Sequence, residues 1–145
     1  PMTATVNAHG AWRETEEMTE CLRERLNDPS TLADGERART FSVMGGVIWG
    51  DNKDNDYFIN SHGVRTPDYL WKILYDSRAV LNEEPSVIAW IIPNDNKAIA
   101  NKLPKYRVSV RDIEARIGYS LPIKGMIKDL DDLPLWEQPK YCDRS

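Results

Sequence analysis

Ser86-Val87-Ile88-Ala89-Trp90-Ile91-Ile92, closed by Pro93-Asn94, is the stretch on which the fold turns. It is continuously apolar and β-branched, shorter than an ordinary helix, and stopped by a proline that cannot donate to a ladder. It reads as the central strand. Upstream, Tyr69, Trp71, Ile73 and Tyr75 alternate with Leu70, Lys72 and Leu74, the period-two pattern of a half-buried strand. Further upstream, Phe41-Ser42-Val43-Met44 and Val47-Ile48-Trp49 flank Gly45-Gly46, and a glycine pair inside a strand marks a bulge or a close backbone approach. Residues 50–66, rich in Asp and Asn, read as an exposed excursion, and residues 28–40 as a polar connection.

Two helices accompany these strands. Ala11, Thr15, Met18, Leu22 and Leu26 share one stripe at a helical period, with Trp12 at its border. Asn27-Asp28-Pro29 ends that helix, because the residue before proline is pushed out of the α region. Downstream, Tyr106 to Val110 leads into a short helix over Arg111–Ile117, with Ser109 as N-cap and Gly118 as its left-handed terminator. The first ten residues read as irregular, and the polar tail from Asp129 onward is expected to wrap the surface. Strands and helices mix without a βαβ rhythm, which favours an α+β domain over a doubly wound one.

The chain has 145 residues, enough for one hydrophobic core, and its 29% charged content is ordinary for a globular protein. No apolar run approaches the ~20 residues of a membrane helix. The start Pro1-Met2-Thr3-Ala4 lacks basic and apolar signal regions, so no signal peptide is expected, and the missing initiator Met implies a trimmed chain or a piece of something longer. The net charge of −4 disfavours a globally basic nucleic-acid binder, leaving a local basic patch or a metal ion to hold phosphate. Arg13, Arg37, Arg39, Lys53 and Arg65 are candidates for such a patch, against a null of scattered surface charge. Cys21 and Cys142 fit neither a CxxC motif nor a disulfide framework, and spacing alone leaves open whether the two bridge each other or pair with a missing segment; Cys21, among acidic residues, reads as structural rather than as a reactive thiolate.

Nothing matches a P-loop, a dinucleotide fingerprint, a nucleophile elbow or a zinc spacing. The segment with unusual chemistry is Asn7-Ala8-His9-Gly10-Ala11-Trp12-Arg13-Glu14-Thr15-Glu16-Glu17. An amide oxygen followed by helix carboxylates is a hard donor set, suited to Mg2+ or its bound waters. Trp12 and Glu16, four apart, are helical neighbours, so Glu16 stands at the edge of the buried stripe while Glu14 and Glu17 turn towards solvent. The plainer reading is a loop and a helix whose early carboxylates favour the dipole.

Five stretches in order resemble the DNA/RNA non-specific endonuclease family, whose active site is of the ββα-metal, or His-Me finger, type. They are Asn7–Glu16, Phe41–Ile48, Thr66-Pro67-Asp68-Tyr69-Leu70-Trp71-Lys72-Ile73, Ala89–Asn94, and Tyr106–Glu114 with Gly118. The resemblance implies a central, mostly antiparallel sheet flanked by helices, with this chain supplying the metal-ligand helix and several core strands. It implies a metal-dependent endonuclease cutting DNA and RNA with low sequence specificity. Asn7 would bind Mg2+, with Mn2+ as an alternative, and Glu16 would orient metal-bound water.

Two departures accompany the resemblance. One extra residue separates Asn7 from Trp12, and Asn7 is the only residue nearby with the right donor. The family's Asp-Arg-Gly-His motif, which carries the general base, is absent from the sequence. His9 lies in the helix-entry loop and His62 in a polar loop, neither on a base-bearing hairpin. Residues 1–145 therefore read as the C-terminal part of one nuclease domain: a metal-site loop and helix over 1–27, a sheet core over 39–120 and a surface tail over 121–145. The histidine would come from an upstream segment or an N-terminal fragment of the same precursor. The competing expectation is a catalytically inactive relative that binds nucleic acid or a protein. The resemblance implies a secreted or periplasmic location, with an organelle as the alternative, and no membrane partner.

Overall fold

The computed structural model describes residues 2, 6–7, 10–27, 42–50, 63, 66–76, 86–123, 125 and 128–129. Four strands form one antiparallel sheet in chain order: β1 (Ser42–Ile48), β2 (Tyr69–Asp76), β3 (Ser86–Pro93) and β4 (Arg107–Val108). Helix α1 (Ala11–Asn27) precedes the sheet, a 3-10 turn (Ala100–Tyr106) leads into β4, and helix α2 (Val110–Ile117) follows. The architecture is α+β, and β3 is interior, paired with β2 on one side and β4 on the other.

The sheet has a core on each face. Leu70, Leu74, Ile88, Trp90 and Ile92 pack with Val6, Ala11, Ala98 and Leu103, joined by Trp12 and Met18 of α1. Trp71, Ile73, Tyr75, Val87 and Ala89 pack with Val110 and Ile113 of α2 and with Leu121 and Ile123 beyond it. The half-buried reading of β2 is thereby corrected: Leu70 through Tyr75 are all buried, Lys72 included. Alternation along β2 separates one core from the other, not core from water, because a helix covers each face.

The glycine pair is no bulge. Pairing of β1 with β2 runs without interruption from Ser42↔Tyr75 to Ile48↔Tyr69. The second alternative holds instead. A Cβ on Gly46 would lie 2.7 Å from Trp71 Nε1, so the indole of Trp71 rests against bare backbone.

The loop ends beside β2 and β3 are knitted together. Asp68 N–H donates to the Ile48 carbonyl at 3.0 Å, and Asn94 N–H to the Asp68 carbonyl at 2.8 Å. The buried Asn94 side chain donates from Nδ2 to the Pro67 carbonyl at 2.8 Å. Thr66 is buried, so the exposed excursion expected over 50–66 ends before it; Gly50 and Gly63 are exposed, and the rest of that stretch, with His62, Lys53 and Arg65, lies outside the described residues.

Helix α2 carries the expected signals. Ser109 Oγ accepts from Asp112 N–H, Asp112 accepts from Ser109 N–H, and Gly118 at φ 82° closes the helix by donating to the Glu114 carbonyl. Helix α1 ends at Asn27, ahead of Pro29, as expected. Cys21 is disulfide-bonded, consistent with a structural role; Cys142 lies outside the described residues, as do Arg37, Arg39 and all of the tail beyond Asp129. The opening segment is less irregular than its sequence suggests. Val6 is fully buried and shares a π-helical turn with Asn7.

Candidate metal and nuclease site

Two anchors hold Asn7. Upstream, Val6 is locked into the α1-side core. Downstream, Gly10 bridges to Ile99, and Ala11 N–H donates to the Ala98 carbonyl at 2.9 Å, fixing where α1 begins. Between them Asn7 is exposed, and among the described residues its carboxamide takes no hydrogen bond. A π-helical turn of this kind leaves backbone and side chain out of regular register and is frequent at functional sites. His9, two residues on, lies outside the described residues.

Glu16 is partly exposed at the edge of the buried stripe. Trp12 Nε1–H donates to Glu16 Oε1 at 3.1 Å, the i,i+4 contact that helical spacing requires. One carboxylate oxygen is therefore held by the indole. Glu17 pairs with Arg13 on the exposed face at 3.2 Å, and Glu14 is half-buried rather than solvated. Asn7 stands just before α1 and Glu16 within its second turn, with no direct contact recorded between their side chains among the described residues.

Lys72 was not foreseen as part of this arrangement. It projects from β2 on the α1 side, 6% exposed, with its ammonium 4.6 Å from the Trp12 ring centroid and 3.2 Å from Thr15 Oγ1. Gly45 of β1 pairs across the sheet with Lys72; a Cβ there would stand 3.2 Å from the Trp71 carbonyl oxygen and in ordinary contact, at 3.9 Å, with Trp12 Cη2. Burial pushes the Lys72 ammonium below its ordinary pKa, and the Glu16 charge opposes that shift. A sequence signal existed. Lysine interrupts the apolar parity Leu70-Lys72-Leu74, opposite a glycine, on a strand otherwise free of charge until Asp76.

An open depression of about 410 Å³ lies beside this group, lined by Arg13, Glu16, Glu17, Thr19, Glu20 and Lys72. Among the described residues no three His, Cys, Asp or Glu side chains converge as a metal cage. Mg2+ does not need one, since it keeps several waters and takes few protein ligands. The exposed amide oxygen of Asn7, which has no partner among the described residues, fits such a hydrated ion.

Among the described residues no helix is long and apolar enough to cross a membrane. The profile of the DNA/RNA non-specific endonuclease family matches residues 1–123. The chain is also 26% identical over 123 residues to the human mitochondrial nuclease EXOG, an alignment covering 77% of this chain. It spans 29% of that relative's length. No solved structure matches significantly. The ordered motifs of the sequence are thus carried by an antiparallel α+β framework, and with residues 1–123 matched by the family profile this chain belongs to the DNA/RNA non-specific endonuclease family.

Proposed function

We propose that this chain is the metal-holding part of a nuclease that hydrolyses phosphodiester bonds of DNA and RNA with low sequence specificity. The observation that carries the reading is the exposed Asn7 carboxamide, without a hydrogen bond among the described residues, at the entry to α1, with Glu16 held by Trp12 further along that helix. In this reading Asn7 offers its Oδ1 to Mg2+, with Mn2+ as an alternative. Glu16, with one oxygen fixed by the indole, accepts a hydrogen bond from water in the ion's shell and so orients it. The ion, when bound, neutralises charge developing on the phosphate. The site type would be ββα-metal.

The base is a histidine outside this sequence, which has no Asp-Arg-Gly-His. An N-terminal segment or fragment of the same precursor supplies it, and this chain alone is inactive. The cell compartment is an organelle, as for the mitochondrial relative; a secreted or periplasmic location is the alternative.

Asn7→Ala in the intact protein is the test. Mg2+-dependent cleavage falls by about 100-fold or more while nucleic-acid binding persists, a loss at the upper end of what removing a metal-site partner costs. Unchanged cleavage removes Asn7 from the mechanism. Binding without cleavage in the unaltered protein turns the reading to an inactive module. Mass spectrometry of an active preparation that holds only this polypeptide would refute the need for a partner segment.

A further inference from the structure

Lys72 occupies a core position between Leu70 and Leu74 on β2. An ammonium there forfeits water, and among the described residues it has no carboxylate within ion-pair distance. Its contacts converge on one side chain. The cation stands over the face of Trp12 at 4.6 Å. It also donates to Thr15 Oγ1 at 3.2 Å, and that hydroxyl donates to the Trp12 carbonyl at 2.7 Å. Trp12 is thus gripped at its ring and at its backbone. A cation on the π face draws density from the indole and makes its N–H a better donor. That N–H is the one that holds Glu16 Oε1.

We propose that Lys72 is a positioning residue for Glu16: stacked on Trp12 and bonded through Thr15, it fixes and polarises the indole whose N–H sets the direction of the Glu16 carboxylate. The ammonium of Lys72 is engaged by Trp12 and Thr15, so its effect on Glu16 runs through the indole. Its use in catalysis rests on the nuclease reading above; its control of Trp12 and Glu16 does not.

The experiment uses the intact protein with 15N-labelled tryptophan, the Trp12 indole resonance being identified by its loss in Trp12→Phe. Lys72→Met keeps a straight, packable stem and removes the charge. The Trp12 Nε1–H resonance then moves towards the position of an unbonded indole and stops responding to Glu16→Gln. Lys72→Arg, which keeps a stacking cation, retains the original resonance. In cleavage assays Lys72→Met lowers kcat roughly 10–100-fold, the range for outer partners of a metal site, with KM unchanged. It adds nothing further on a Glu16→Gln background. An unmoved Trp12 resonance in Lys72→Met overturns the inference, and so does a loss confined to KM or additive with Glu16→Gln. If the resonance moves but the unaltered protein has no Mg2+-dependent cleavage, the nuclease reading falls and the control of Glu16 by Lys72 stands.

Discussion

Lys128 Nζ lies 2.7 Å from Glu114 Oε2, with both side chains less than a tenth exposed. The same carboxylate oxygen accepts from Leu121 N–H at 2.6 Å, so Glu114 ties α2 to the chain that follows it. Burial opposes ionisation of Glu114, but the bond from Lys128, the Leu121 amide and the charges of Lys128 and Arg111 outweigh it and hold its pKa below the ordinary value.

A depressed carboxylate pKa means stability that is fully present above the unfolded value, near 4.5, and lost as pH falls through the folded one. Chemical denaturation across the acid range should show that loss. Glu114→Gln should flatten it and, by leaving Lys128 buried without its carboxylate, cost about 3–5 kcal/mol at neutral pH.

Gly46→Ala should destabilise the intact protein by about 1–3 kcal/mol, the cost of forcing volume into a packed site. The new methyl would stand 2.7 Å from Trp71 Nε1, and Trp71 is buried among Ile73, Val110 and Ile113 with little room to yield. A denaturation midpoint equal to that of the unaltered protein would show that the indole can move.

Lys72 gives the opposite pH signature to Glu114. Its folded pKa lies below the ordinary 10.5, so the unfolded state binds the proton more tightly. Stability should therefore rise as pH climbs from the folded pKa towards 10.5. Lys72→Met should erase that rise and leave the protein as stable as before, or more so, at neutral pH, because an apolar isostere escapes desolvation. Retained alkaline dependence would assign it to another group.

Mg2+ binding only the native state must raise the melting midpoint. At 100 times its Kd the stabilisation is about 2.7 kcal/mol. Asn7→Ala should abolish that gain in the intact protein, whereas Ser109→Ala should leave it intact while removing about 1 kcal/mol through loss of the α2 cap. A gain unchanged by Asn7→Ala would place the ion elsewhere.

Local physics made much of the framework legible from sequence. The Ser86–Ile92 run, the proline stop after it, the helical stripe from Ala11 and the Ser109–Gly118 caps each specify conformation over a few residues, and each recurs in the structure. The Trp12–Glu16 contact was equally readable, because helical spacing alone brings the two together. Burial of the whole of β2 was not readable. Alternation looks the same whether the second face meets water or another helix.

By itself the sequence determined the first helix, the three long strands, the capped helix after Ser109, the family and the presence of a hard donor at Asn7 ahead of a carboxylate at Glu16. These depend on neighbours within about one helical turn or one strand. Only the tertiary structure decided between a bulge and a close approach at Gly45-Gly46, and only it brought Lys72 onto Trp12. Those outcomes depend on which surfaces meet in the folded chain: Trp71 comes against the bare backbone of Gly46, and Lys72 stays buried because Trp12 and Thr15 of α1 meet its ammonium.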